Sequence, residues 1–290
     1  MLMMILIKGA MIGAVYASLA VGFSLIFGVA RIINLAHTAF FMLAAYAMFT
    51  LVNQLTLNTL LSIFISIGGV TAIGILSYRL FLDRIREHEG AVILVTVALA
   101  IAFQEILLLI FESTYRAVHP FVEGTVDLIG VTIPFQELLI FGVTAGCLLG
   151  VLVFLYKTNL GLSLRVTSQD REVANLMGIN VKGICLVSVA LAVGLAAIAG
   201  AVVAPSVTVE PYMWANPLVM MFAAVILGGL GSMKGSFIGA FILGYTEVLV
   251  VFLIPAGSFI KGSVAMAIMV VILFIRPEGL FGIAFEEERL

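Results

Sequence analysis

Charge is what this 290-residue sequence has least of: Asp, Glu, Lys and Arg together make up 10% of it, where a soluble domain carries roughly a quarter. Hydrophobic residues make up 63%, and the mean hydropathy is +1.27. A chain so poor in polar groups cannot cover its own surface in water, so its solvent is lipid. The formal net charge of -2 excludes a basic footprint for nucleic acid. Cysteine is scarce too. The two present, Cys147 and Cys185, fall within or beside apolar segments and read as small lipid-embedded hydrophobes rather than as a disulfide framework. Histidine is limited to His37, His88 and His119, and no second His or carboxylate stands at ligand spacing from His37, so neither a metal site nor a cofactor is expected. His88 and His119 lie in polar loops and read as solvated. Paired carboxylates and His/carboxylate clusters are missing from the apolar runs, which leaves an intramembrane enzyme without support.

What the chain does have is long apolar runs. A membrane crossing takes about 20 mostly apolar residues. Candidate spans are Met4 to Val29, Leu35 to Val52, Leu60 to Leu82, Ala91 to Phe111, Phe135 to Tyr156, Ile184 to Val207, Leu218 to Leu230, Gly235 to Ile254 and Phe259 to Ile275. Leu35 to Val52 is barely long enough, and Leu218 to Leu230 is short for a straight crossing. The expectation is an all-α, polytopic helical bundle of about eight or nine spans, residues 1–290 forming one membrane domain. The first run is unbroken from the N-terminal residues to Val29 and carries Lys8 after its apolar start, which reads as a retained signal anchor rather than a cleaved leader.

Cations set the expected orientation. The connection of about 157–183 carries Lys157, Arg165, Arg171 and Lys182, and Arg79 to Glu89 carries Arg79, Arg84 and Arg86. Both are assigned to the cytoplasm of a bacterial-type inner membrane. The connection of about 112–134 sets Glu112, Glu123 and Asp127 against Arg116, and Ser206 to Pro217 has no cation. Both are assigned outside, with the N-terminus outside and Arg276 to Leu290 inside. Alternation in Thr125 to Pro134 suggests a short hairpin about Ile129 and Gly130. Its acidic surroundings read either as a docking surface for a binding protein or as an ordinary solvated connection.

Glycines four apart mark close helix packing. Gly231, Gly235 and Gly239 form one such stripe, continued by Ala240 and Gly244, and Gly9/Gly13 and Gly146/Gly150 form others. Ionisable groups within apolar runs are the candidate pathway residues, because a charge in hydrocarbon needs a partner or a water-filled path. They are Glu105 beside Gln104, and Glu247; each either lines a path or serves a polar contact between helices. Arg31, Asn34 and His37 lie in the tight gap between the first two runs, which reads either as a broken-helix element near the path or as a plain cytoplasmic turn.

The long cationic connection is the most informative stretch. Asp170 can cap a short helix, Val173, Leu176 and Met177 share one face of it, and Gly178 suits a left-handed stop. Such a helix either lies in the headgroups or docks into a partner's groove.

Gly161-Leu162-Ser163-Leu164-Arg165 followed by Ala174-Asn175-Leu176-Met177-Gly178-Ile179-Asn180 resembles the cytoplasmic loop of the branched-chain amino-acid permeases, membrane subunits of ATP-binding-cassette importers. Ile33-Asn34-Leu35-Ala36-His37 resembles the same family's Asn-Leu-Ala-His signature. Leu227-Gly228-Gly229-Leu230-Gly231-Ser232 is similar to its glycine-rich turn, and Arg276-Pro277-Glu278-Gly279-Leu280-Phe281-Gly282 to its ending. Thr38 stands where the family commonly has Gly, and Val166 where it commonly has Ala. The resemblance implies a permease that lines the path for branched-chain or related amino acids. It implies as partners a second permease subunit, two ATP-binding subunits and an extracytoplasmic solute-binding protein. Gly161, Arg165, Asp170, Arg171, Ala174, Met177, Gly178 and Asn180 would then form the ATPase-coupling loop. In accord with this, the turn Gly228 to Ser236 is no phosphate-binding loop, because Met233 precedes Lys234 where Gly is needed. The alternatives are a stand-alone secondary transporter or channel using Glu105 and Glu247, and a permease of the same type for urea or short amides.

Overall fold

The computed structural model describes residues 2–128 and 131–281. Seven of its helices are long and apolar enough to cross a membrane. The chain is a polytopic helical membrane bundle. In chain order the helices are α1 (Leu2–Ala30), α2 (His37–Met48), α3 (Thr59–Ser77), α4 (Glu89–Phe111), α5 (Phe135–Lys157), α6 (Asn159–Gln169), α7 (Arg171–Leu176), α8 (Val181–Val203), α9 (Ala215–Gly228), α10 (Met233–Leu253) and α11 (Gly257–Ile275). The two doubtful runs are shorter helices: α9 has 14 residues, and α2 has 12, prolonged by a π-helical stretch Phe49–Gln54. A second π-helical stretch, Tyr78–Leu82, prolongs α3.

Burial sorts the helices. Helix α1 is apolar on every side and most of it is buried, as is most of α8, so these two form the centre. Helices α3, α4, α5 and α11 turn most of their residues outward, as lipid-facing helices do. Glycine decides how closely the central helices meet. A Cβ at Gly244 of α10 would stand 2.6 Å from the Gly13 backbone of α1, and one at Gly200 of α8 would stand 2.1 Å from the Phe41 carbonyl of α2. Cβ atoms at Gly235 and Gly239 would strike the carbonyls of Gly228 and Ala224 on α9. Small residues thus let backbones touch where larger side chains would hold them apart.

Two glycine expectations need correction. Gly231 is not on the α10 stripe; it lies in the turn before the helix at φ +82°, a conformation that suits Gly because it lacks a Cβ. Gly146 and Gly150 have open space around them rather than a helix neighbour.

The chain direction fixes two ends. The cationic connections, α6 and α7 gather where α1 finishes and α10 begins, since a Cβ on Gly28 would face the Gly231 carbonyl. The C-terminal segment returns to this end, where Leu280 and Phe281 donate to the carbonyls of Leu227 and Gly228 (2.8 and 3.0 Å). The glycine-rich turn and the Arg276 to Phe281 signature therefore meet in space; Gly282 lies outside the described residues. At the opposite end, β1 (Thr125–Leu128) and β2 (Val131–Pro134) pair antiparallel, Thr125 against Pro134. The Ile129-Gly130 turn expected between them lies outside the described residues.

Candidate functional site

Two regions carry the chemistry. The first is the connection between α5 and α8, which holds two helices where the sequence suggested one. Thr158 caps α6 by accepting from Gly161 N–H (3.0 Å). Gly161 itself lies against α5: a Cβ there would stand 2.3 Å from the Phe154 carbonyl. Arg165 donates to the Leu155 carbonyl (3.1 Å) and covers the Tyr156 ring at 4.9 Å. These contacts fold α6 back against the end of α5.

Asp170 then ends α6 and caps α7, accepting from the backbone N–H of Glu172 and Val173 (2.8 and 3.0 Å). Gly178, at φ +82°, closes α7 with the left-handed turn read from the sequence. Asn180 starts α8 by accepting from Gly183 N–H (3.1 Å). Ala174 is fully buried, whereas Leu176 and Met177 are 86% and 74% exposed. Arg171 fixes the unit to the bundle: its guanidinium donates twice to the Val29 carbonyl, at 2.9 and 2.7 Å. That carbonyl lies in the last turn of α1 and has no helical partner of its own, so a charged donor is well placed there.

The second region lies toward the opposite end, where a cavity of about 320 Å³ opens between α1, α2, α5, α8, α9, α10 and α11. Glu247 is 3% exposed. Its carboxylate accepts from the Tyr16 hydroxyl (2.6 Å) and forms an ion pair with Lys261. Lys8 and Glu137 form a second pair, at 3.6 Å, on the same cavity. Met11, Ile12, Phe41, Ile140 and Val203 supply apolar wall. Glu247 is not at the middle of its helix; it lies less than two turns from the C-terminal end of α10. Among its partners, Lys261 carried a signal the sequence reading passed over: it is the sole ionisable residue of α11. Tyr16 gave none, being one aromatic in an apolar run.

The other expected pathway residues lie apart from this cavity. The segment from Arg31 to Ala36 is non-helical, with Ile32, Asn34 and Ala36 buried. Asn34 stabilises the bend by accepting from Ala36 N–H (3.1 Å). His37, fully buried, stands against Gly22, where a Cβ would come within 3.0 Å of its Nε2. Between Ala30 and His37 the chain therefore returns about 12 Å along α1 before α2 begins. Gln104 accepts from the Trp214 indole (2.8 Å), tying α4 to the start of α9. Glu105 does not point into the bundle but faces outward from α4.

A family model described as "Branched-chain amino acid transport system / permease component" matches residues 5–275. The chain belongs to this permease family. It is thus a membrane transport subunit of the ATP-binding-cassette type, not an enzyme. Curated relatives include the high-affinity branched-chain amino acid transport system permease protein BraD of Pseudomonas aeruginosa. It is 27% identical, with 96% of this chain and 94% of the relative covered. The permease LivH of Escherichia coli, of the same description, is 25% identical over 95% and 94%. The probable branched-chain permease LivH of Methanocaldococcus jannaschii is 28% identical over 93% and 89%. Among solved structures, PsaBC from Streptococcus pneumoniae in complex with Fab superposes with a TM-score of 0.54 at 17% identity, covering 94% of this chain and 93% of that one. That likeness is one of fold.

Proposed function

We propose that residues 1–290 form one permease domain of an importer for branched-chain or related amino acids, working as one of a pair of permease subunits. An extracytoplasmic binding protein delivers the solute, and two separate ATP-binding subunits supply the energy. In this reading the cationic end faces the cytoplasm, as Lys and Arg in short loops favour. The N-terminus is then outside and the C-terminus inside. The connection 157–183 is the coupling loop, and 112–134 faces outward with the Glu247 cavity.

The observation that carries the reading is α7. A free-standing carrier gains nothing from a six-residue helix that shows Leu176 and Met177 to its surroundings while a charged side chain bolts it to the central helix. Those features suit a groove-docking helix that transmits force. Glu105 supports the second permease subunit. A carboxylate facing out from the apolar surface of α4 is costly in lipid, and a neighbouring protein face relieves that cost. Asn34 and His37 are assigned to a re-entrant element beside the path, and Glu105, next to the inward-bonded Gln104, to the face shared with the second permease.

Reconstitution tests this. The chain, assembled in proteoliposomes with its partner permease, ATP-binding subunits and binding protein, is expected to accumulate L-leucine only with ATP. Removal of residues 165–180 is expected to abolish both assembly with the ATP-binding subunits and uptake. Accumulation by this chain alone under an ion gradient would overturn the reading in favour of a stand-alone carrier.

A further inference from the structure

We infer that the cavity around Glu247 and Lys261 is a recognition subsite for an apolar amino acid as its zwitterion, held by its two opposite charges. The inference rests on the amino-acid importer reading above. It places a selectivity element within this chain, in addition to any selection made by a binding protein.

The argument begins with charge balance. Among the described residues the charged side chains lining the cavity are Lys8, Glu137, Glu247 and Lys261, two of each sign, arranged as two ion pairs in an apolar wall. A ligand with net charge would leave one charge uncompensated against the apolar wall, which disfavours it. An uncharged apolar ligand would leave the ion pairs unused. A zwitterion adds a dipole to a dipole and keeps the sum neutral.

Hydrogen-bonding capacity agrees. An ammonium has three donors, and Lys261, whose side chain is 44% exposed, directs one of them to Glu247. Among the described residues its remaining donors have no partner, which leaves them for a ligand carboxylate. Glu247 accepts one bond from Tyr16 and one from Lys261, one at each oxygen, and keeps lone pairs for a ligand ammonium. The adjacent wall of Met11, Ile12, Val15 and Val203 offers only aliphatic and thioether surface. A volume near 320 Å³ lies at the small end of ligand cavities and suits one small solute.

Binding of radiolabelled L-leucine to the purified full chain in lipid nanodiscs tests the inference. Two competitors are used: isoamylamine, which lacks the carboxylate, and 4-methylpentanoate, which lacks the ammonium. Leucine is expected to compete about tenfold better than either, the value of one charge-assisted hydrogen bond. Lys261→Met is expected to erase the advantage over isoamylamine and keep that over 4-methylpentanoate. Glu247→Gln is expected to do the reverse. Lys261→Arg keeps a cation there and is expected to retain the wild-type pattern, which separates loss of recognition from loss of fold. A wild-type chain that binds no leucine overturns the inference, and so do variants that weaken all three ligands by one factor. The importer reading fails separately: leucine binding by the chain without ATP-dependent uptake by the assembled transporter removes that reading and leaves the subsite.

Discussion

At the cationic end α9 and α10 meet backbone to backbone at Gly228 and Gly235, and Gly279 of the segment after α11 lies on Gly229. At the opposite end α1 and α10 still touch at Gly13 and Gly244, but beside that contact opens a cavity walled by Phe41, Met11 and two ion pairs. The difference lies in side-chain size at facing positions of the same helices. Gly235 and Gly239 bring α10 against α9 at the first end, while at the second Phe41, Met11 and the paired charges hold space open beside the α1 and α10 contact. Close packing resists deformation, because an extra methyl has nowhere to go. The wider end keeps room for a solute.

Destroying the tight end is expected to have the largest effect. Gly235→Val places a branched side chain where a Cβ would already be 2.0 Å from the Gly228 carbonyl. Overpacking of this degree is expected to cost about 3 kcal/mol or more and to collapse the yield of folded protein, read by thermal unfolding in detergent. Arg171→Ala comes next. It removes two charge-assisted bonds to the Val29 carbonyl, an expected loss of about 2 to 3 kcal/mol locally. Hydrogen exchange should show faster opening of residues 171–178, and ATP hydrolysis by the assembled transporter should lose its stimulation by substrate. Asp170→Ala frees the two capped N–H groups and is expected to cost about 1 kcal/mol, with exchange rising at Glu172 and Val173.

Leu176→Asp sharpens the contrast in another way. The side chain is exposed, so stability is expected to change by less than about 0.5 kcal/mol, while co-purification of the ATP-binding subunits fails. Smallest of all is Gly146→Ala, where nothing lies near the new methyl. The isolated chain is expected to keep or slightly raise its melting temperature, since Ala favours helix by about 1 kcal/mol over Gly. A drop confined to the assembled transporter would identify that face of α5 as a subunit contact.

The helices were legible because the lipid imposes a single rule on every span. All nine apolar runs became helices, with ends within a few residues, and the seven longest of them are long and apolar enough to cross a membrane. Asp170 and Gly178 were legible for another local reason: a cap and a left-handed stop are written within a few positions of the helix they bound. The second helix of the connection between α5 and α8 was hidden because α6 depends on Gly161 and Arg165 reaching back to α5, a tertiary contact. The cavity was hidden for the same cause. Tyr16, Glu247 and Lys261 meet across 231 and 14 positions of chain, and no local spacing announces them. Glu105 misled because a carboxylate in an apolar run signals a need for a partner without saying which side of the helix supplies it.

The double bond from Arg171 to the Val29 carbonyl has a mechanical corollary. Helix α1 runs unbroken from that carbonyl to Tyr16, about 20 Å away, where the hydroxyl grips Glu247. The rod is thus held at its last turn and at its middle, so a small tilt at the first point is carried to the second. A push on α7 is therefore expected to shift the Tyr16 wall of the cavity through the body of α1, without a relay of intermediate side chains.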